Sequence, residues 1–211
     1  MTINVASLRT LGILGGCLAG AGLLAAGGVY WYNAYQARAG AAYAEAMTRA
    51  QESREPQASA DLRAAAVRGL ETTLETYPSS AGAAPAAYEL ANLRYAAREY
   101  PAARGAFEVA LAKGARGTLR TLSRAGVAYS WEAERNLPKA VAAFQAALSG
   151  LGPTDFLYEE LMMDLARVQE LAGSRDAAIA TYRRILQELP KARRGDDIRA
   201  RLASLGTPAK P

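Results

Sequence analysis

The sequence contains no histidine, and its 211 residues include a single cysteine, Cys17. Without histidine, the side chain that most often serves as a general base or a transition-metal ligand is missing. Cys17 lies within an apolar stretch, so neither a disulfide framework nor a thiolate metal centre can be assembled from this chain. We therefore expect no metal and no cofactor.

Carboxylates are the remaining candidates for catalysis, and their positions do not favour it. The adjacent pairs Glu159–Glu160 and Asp196–Asp197 both begin predicted helices, where acidic side chains offset the positive helix end. Neighbours in sequence also diverge by about 100° around a helix, so neither pair forms an acid/base couple. We predict that the protein is not an enzyme and has no small-molecule substrate.

The sequence also lacks patterns typical of β-strands and lacks long runs of charge of a single sign. The chain is rich in alanine, has few β-branched residues and shows no sustained period-two alternation, which predicts an all-α fold. Its 25 basic and 20 acidic side chains leave a net charge of +5, but the two signs are interleaved. Since no basic stripe with interleaved aromatics is present, we expect no nucleic-acid partner.

A long uncharged run is present near the amino end. After a short tail at residues 1–10, residues 11–32 carry no charge, and about twenty apolar residues at 1.5 Å rise are enough to cross the hydrocarbon core of a bilayer. Tyr30, Trp31, Tyr32 and Tyr35 follow at the far end, where amphipathic rings favour the membrane interface. The pattern predicts a single transmembrane helix at 11–32.

Other interpretations of this run stay open. The sequence before and including Cys17 resembles a bacterial lipobox, although most of the apolar residues follow the cysteine, and a cleaved secretory signal is a second alternative. Gly12, Gly16 and Gly20 share one helix face and could form a helix-packing surface, or could simply belong to a glycine-rich span. Basic residues flank the run on both sides, so charge alone does not fix the orientation.

Downstream, apolar residues recur with helical spacing in units that end at proline or glycine. The last unit places Ala178, Tyr182, Ile185 and Leu186 on one helix face and stops at Pro190. We predict helix pairs throughout a domain at 36–205, closed by a short helix near 196–203, with a flexible tail at 206–211.

Four such units align, with 37 or 38 residues between equivalent positions. The equivalent positions are Ala66, Leu70, Thr73, Leu74 and Pro78, then Ala103, Phe107, Ala110, Leu111 and Ala115, then Ala140, Phe144, Ala147, Leu148 and Gly152, and finally Ala178, Tyr182, Ile185, Leu186 and Pro190. Fixed-period helix pairs are typical of an α-solenoid. The order of small, aromatic, Ala-Leu and proline positions resembles the tetratricopeptide repeat (TPR). A position that is aromatic in the first helix of that family is occupied here by Arg94, Trp131 and Gln169.

The TPR resemblance implies about four helix pairs whose first helices line a concave groove for protein or peptide partners. Transferred to this sequence, the family's groove positions are Tyr88, Asn92, Tyr95, Tyr129, Glu132, Met163, Arg167 and Glu170. The alternative that some of these side chains, such as Tyr88 and Tyr129, belong to the core between repeats stays open. The full set of basic residues with which some TPR domains clamp a chaperone's terminal carboxylates is absent.

The order of short tail, apolar run, interfacial aromatics and helical repeats is similar to that of the YfgM-type family. Members of that family are single-pass bacterial inner-membrane proteins whose periplasmic TPR-like domain accompanies the translocon and periplasmic chaperones. The resemblance implies a periplasmic, membrane-anchored scaffold with a role in secretion or chaperone activity. Two alternatives remain, a structural spacer in an envelope assembly for secretion, pilus or outer-membrane biogenesis, and a cytoplasm-facing TPR adaptor.

Overall fold

A computed structural model describes residues 5–206 of the chain, with side chains from residue 20 onward. Every regular element in that part is a helix, which confirms the predicted all-α class. The helices are α1 Val5–Glu52, α2 Ala60–Thr76, α3 Ala83–Ala96, α4 Tyr100–Ala112, α5 Gly117–Ala133, α6 Leu137–Leu148, α7 Tyr158–Leu171, α8 Arg175–Glu188 and α9 Gly195–Ser204.

Helix α1 contains the apolar run and continues without a break into the repeat domain. Within the residues described, no helix combines the length and the apolar composition needed to cross a bilayer. Part of the predicted span, residues 11–19 with Gly12, Gly16 and Cys17, lies outside the described side chains. Residues 1–4 and 207–211 of the predicted tails also lie outside the described part. A Cβ atom added at Gly20 would meet nothing within 4 Å.

Consecutive helices pack as antiparallel pairs, and each pair packs on the next. Contacts join α1 to α2, α3 to α4, α5 to α6 and α7 to α8, and further contacts join α2 to α3, α4 to α5 and α6 to α7. Helix α9 then packs on α8. Because each pair covers the apolar face of its neighbour, the result is an α-solenoid.

Local sequence explains where the helices begin and end. Ser59 caps α2 by accepting a hydrogen bond from the Leu62 amide at 3.1 Å, and Asn136 caps α6 through the Lys139 amide. Proline occupies the first turn of α4 and of α6, where no amide donor is needed. The turn inside three successive pairs uses one left-handed residue at equivalent positions: Arg98 at φ 63°, Arg135 at φ 61° and Gly173 at φ 74°.

The equivalent large residues of the four second helices form the centre of the core. Leu70, Phe107, Phe144 and Tyr182 are between 0% and 3% exposed. Small residues opposite them allow the helices to approach closely. At Gly126 in α5, an added Cβ would lie only 2.4 Å from the Phe107 ring of α4. The alanine-rich composition is therefore what allows adjacent pairs to pack closely in this solenoid.

Candidate binding groove

Helices α3, α5 and α7, the first helices of three successive pairs, present side chains to one shared cavity. Tyr95 of α3, Tyr129 and Glu132 of α5, and Arg167 of α7 line this cavity, which has a volume of about 450 Å³. Ala133 and the left-handed turn residue Arg135 complete its wall. We call this cavity the groove. Four of the eight predicted groove residues therefore meet at one place.

A network of hydrogen-bonded charges forms one side of the groove. The Tyr129 hydroxyl donates to Asp164 Oδ2 at 2.5 Å. Arg167 Nη2 donates to Asp164 Oδ1 at 2.9 Å and to Glu132 Oε2 at 3.0 Å, and Arg167 Nη1 also donates to Glu132. Because two carboxylates hold one guanidinium, the network joins α5 to α7 and fixes the orientation of the groove side chains.

The surroundings of Tyr95, Tyr129 and Arg167 raise the pKa of each side chain, so all three stay protonated at neutral pH. Burial, followed by the hydrogen bond to Asp164, raises the pKa of the Tyr129 hydroxyl. Hydrogen bonding to Glu132 raises the pKa of Arg167 despite the opposing effect of burial. Burial also raises the pKa of Tyr95, and the neighbouring Tyr100 and Glu132 add to that rise. The groove therefore offers neutral phenols and a permanently charged guanidinium.

Tyr95 is the groove aromatic that remains open to a ligand. Its ring is half-buried and packs edge-on against Tyr100, with ring centroids 5.3 Å apart. Among the described residues, its hydroxyl makes no hydrogen bond. Its exposed face and free hydroxyl can therefore contact a partner, whereas the hydroxyl of Tyr129 is already bonded to Asp164.

The other predicted groove residues are placed elsewhere. Met163 is only 8% exposed, belongs to the core cluster shared with α8 and α9, and is not among the residues that line the groove cavity. Tyr88 is half-buried against Phe107, with ring centroids 5.7 Å apart. Asn92 is half-buried on α3 and does not line the groove cavity.

Glu170 lies on α7 but is occupied by an internal network. It accepts hydrogen bonds from the Tyr182 hydroxyl at 2.7 Å and from Arg201 Nε at 2.9 Å. Burial acts to raise the pKa of Glu170, but the hydrogen bonds from Arg201 and Tyr182 outweigh it and lower the pKa. Glu170 thus joins α7, α8 and the last helix α9, and its carboxylate is not free for a partner in the groove.

Asp164 is the residue of this network that the sequence did not lead us to predict. It stands three residues before Arg167, and that spacing on one helix was a visible signal of an ion pair. Its bond to Tyr129, by contrast, depends on the rotation between α5 and α7, which no local pattern contains. Within the described residues, no three His, Cys, Asp or Glu side chains are grouped as a metal site.

Comparisons with known proteins support the fold. The structure is similar to a crystal structure of the nearly identical TPR-like repeats of a kinesin light chain-like protein from Podosopora anserina, with a TM-score of 0.54 and 16% identity over 81% of this chain and 92% of that chain. A variant of the same repeats gives a TM-score of 0.58 and 17% identity over 81% of this chain and 86% of that chain. No protein-family model and no curated protein matches the chain. The protein therefore has a TPR-like fold.

Proposed function

We propose that this protein is a TPR-like scaffold that binds a segment of another protein in the groove formed by α3, α5 and α7. The observation that carries the proposal is the position of Tyr95, Tyr129, Glu132 and Arg167 around one cavity spanning three successive first helices. Solenoids of this kind bind through extended surfaces made by such helices. A rigid aromatic side chain beside fixed charges suits peptide recognition better than catalysis.

The chemistry of the groove indicates what the bound segment contains. Tyr95 provides an aromatic face, so the segment should place an apolar or aromatic side chain there. Glu132 and Arg167 already satisfy each other, so they offer exposed polar edges rather than an uncompensated charge. Backbone amides and carbonyls of an extended chain can bond to those edges and to the Tyr95 hydroxyl.

We further propose that the first part of α1 anchors this scaffold in a bacterial inner membrane, with the repeat domain in the periplasm. The uncharged run at 11–32 and the aromatic residues at its carboxyl end support the anchor. The proposal that the scaffold acts with the translocon or with periplasmic chaperones rests on the resemblance to the YfgM-type layout. The alternatives are a spacer in an envelope assembly and a cytoplasm-facing adaptor.

Photo-crosslinking tests the groove. A benzophenone amino acid replaces Tyr95 in the groove and, as the matched control, Val109, which is exposed on α4. We expect discrete crosslinks from position 95 and none of the same mass from position 109. The crosslinks should also be lost when Arg167→Glu opposes Glu132 and disorders the groove. Equal crosslinking from both positions would mean that the groove is not the binding surface.

Compartment and anchoring require separate measurements. We expect the full chain to stay with membranes after alkaline carbonate extraction and to be released by detergent. A phosphatase that is active only in the periplasm, fused after Pro211, should be active. An inactive fusion of normal abundance would favour the cytoplasm-facing adaptor, and full extraction by carbonate would exclude the anchor.

A further inference from the structure

A second, larger cavity lies beside the first helix pair and shares no lining residue with the groove. The turn that follows α1, the first half of α2, and the end of α3 with the turn after it enclose a volume of about 640 Å³. Its lining includes four arginines, Arg54, Arg63, Arg68 and Arg94, and one acidic residue, Glu99, among the described side chains. We call this cavity the arginine cleft. Its volume is within the range of sites that hold ligands.

Two of the four arginines are held in place by carboxylates. Arg54 donates to Glu89 Oε2 at 2.6 Å, across a separation of 35 residues. Arg94 is paired with Glu71 of α2 and, at 3.3 Å, with Glu99. These pairs fix the positions of two guanidinium groups at the cleft before any partner arrives, which lowers the conformational entropy lost on binding.

The other two arginines are available. Arg63 and Arg68 are exposed on α2, and among the described residues neither makes an ion pair or a side-chain hydrogen bond. Both guanidinium groups can therefore form paired hydrogen bonds with carboxylates from outside the chain. Since Glu99 is the one acidic side chain in the described lining and is paired with Arg94, the cleft presents a net positive surface.

The floor between the arginines is apolar. Val67 of α2 and Leu93 of α3 are partly buried against the core, and Ala64, Ala96 and Ala97 continue the same surface. In the part of the chain that the structure describes, no aromatic residue lines the cleft. Base stacking on aromatic rings, a main contribution to single-stranded nucleic-acid binding, is therefore not available from this lining.

We infer that the arginine cleft binds an acidic amphipathic segment of a partner protein, with apolar side chains on the floor and carboxylates on Arg63 and Arg68. Charge complementarity selects the acidic side chains, and the apolar floor distinguishes a peptide from a free anion. This site is separate from the groove, so the inference does not depend on the proposed function.

Fluorescence anisotropy of the detergent-solubilised full chain tests the inference. The probe is a short fluorescein-labelled helical peptide with glutamates on one face and leucines on the other. We expect saturable binding that Arg63→Glu/Arg68→Glu weakens by about tenfold or more, because two charge-assisted contacts become repulsive. The matched control, Arg183→Glu/Arg193→Glu, reverses two exposed arginines on and after α8 and should leave the affinity unchanged.

Further variants separate binding in the cleft from attraction by net charge and from binding in the groove. Ala64→Phe fills the exposed part of the floor without changing charge and should also weaken binding, whereas Tyr95→Ala in the groove should not. If Arg183→Glu/Arg193→Glu weakened peptide binding as much as Arg63→Glu/Arg68→Glu does, the effect would follow from net charge alone and the inference would be wrong. The inference also fails if Tyr95→Ala abolishes binding, or if a DNA oligonucleotide of equal charge binds the full chain more tightly than the peptide.

Discussion

Gly126 allows a sharp test of the packing between the second and third pairs. A Cβ at this position would lie 2.4 to 2.5 Å from three atoms of the Phe107 ring. Ordinary carbon contacts begin near 3.4 Å, so the ring would have to withdraw by about 1 Å. Phe107 is 3% exposed and also packs against Tyr88, with ring centroids 5.7 Å apart, which leaves it little room to move.

Gly126→Ala has two opposing effects on stability, and their magnitudes decide whether the variant is more or less stable than the parent protein. Alanine in a helix interior is favoured over glycine by about 1 kcal/mol. Overpacking a close-packed core costs about 1–3 kcal/mol, with the upper half of that range suited to a clash on three ring atoms. We therefore expect a net destabilisation of about 1–2 kcal/mol. Gly105→Ala in α4, where nothing lies within 4 Å, should instead stabilise by up to about 1 kcal/mol.

Urea unfolding followed by Trp131 fluorescence measures both variants. Trp131 is half-buried between Arg104 and Lys139, which lie 3.5 Å and 4.2 Å from the centre of its ring, so its emission should change when the pairs separate. A Trp31→Phe background removes the other tryptophan. Adding Phe107→Leu to Gly126→Ala should recover part of the loss, seen as coupling in a double-mutant cycle. Gly126→Ala as stable as the parent, or an absence of coupling, would refute the packing argument.

Four further predictions concern stability in the same urea assay. Arg98→Gly should stabilise by about 0.5–1 kcal/mol because it relieves a left-handed backbone, whereas Gly173→Ala at the equivalent turn should cost about 1 kcal/mol; equal signs would contradict this. Burial raises the pKa of Glu89, and this effect outweighs the opposing effect of Arg54. The contribution of Glu89 to stability is therefore fully present below pH 4.5 and is lost as pH rises through the folded pKa. Glu89→Gln should become more stable relative to the parent protein between pH 4 and pH 7. The pKa of Glu170 is lowered in the folded protein, so its contribution to stability is present above pH 4.5 and is lost in acid. The destabilisation caused by Glu170→Gln should therefore become smaller towards pH 4. If Glu89→Gln and Glu170→Gln changed stability with pH in the same direction, both pKa directions would be refuted. Tyr129→Phe should lower the free energy of unfolding by about 1–2 kcal/mol, because a hydrogen bond to a carboxylate is lost. An unchanged free energy of unfolding would mean that this hydrogen bond does not stabilise the protein.

The sequence was sufficient to predict helices because its stop signals are local. Proline at 101 and 138 and glycine at 114 and 150 act through their own backbone geometry, and they bound helices in the structure. The repeated Phe107 and Phe144 positions were predictable for a related reason, since one large residue per unit on a fixed helix face must be buried.

The groove was less predictable because it depends on the rotation between pairs. Tyr88 and Met163 occupy equivalent positions of two first helices, and both turn towards the core instead of the groove. The next equivalent positions on α5 and α7, Tyr129 and Arg167, are half-buried and line the groove, where both contact Asp164. A difference of about one helical turn separates a core residue from a groove residue.

Long-range pairing also explains how this chain tolerates Arg94 and Gln169, which are not aromatic, at a position that is aromatic in TPR units and is occupied by Trp131 in the third pair. Arg94 pairs with Glu71 of the preceding helix. Trp131 is held between cations from α4 and α6, and Gln169 accepts a hydrogen bond from Thr181 of α8 at 2.8 Å. An ion pair, cation–π contacts and a hydrogen bond thus each join a first helix to a neighbouring second helix at the same position of the repeat.

The two proposed sites differ in how much charge they leave for a partner. In the groove, Arg167 is neutralised by Glu132 and Asp164, so a bound segment gains mainly from the aromatic face of Tyr95 and from shape. In the arginine cleft, Arg63 and Arg68 have no carboxylate partner among the described side chains, so long-range attraction acts there first. Added salt should therefore weaken binding to the cleft strongly and binding to the groove little, because screening acts on exposed unpaired charges. A partner that used both sites would be drawn to the cleft by charge and then held in the groove by fit.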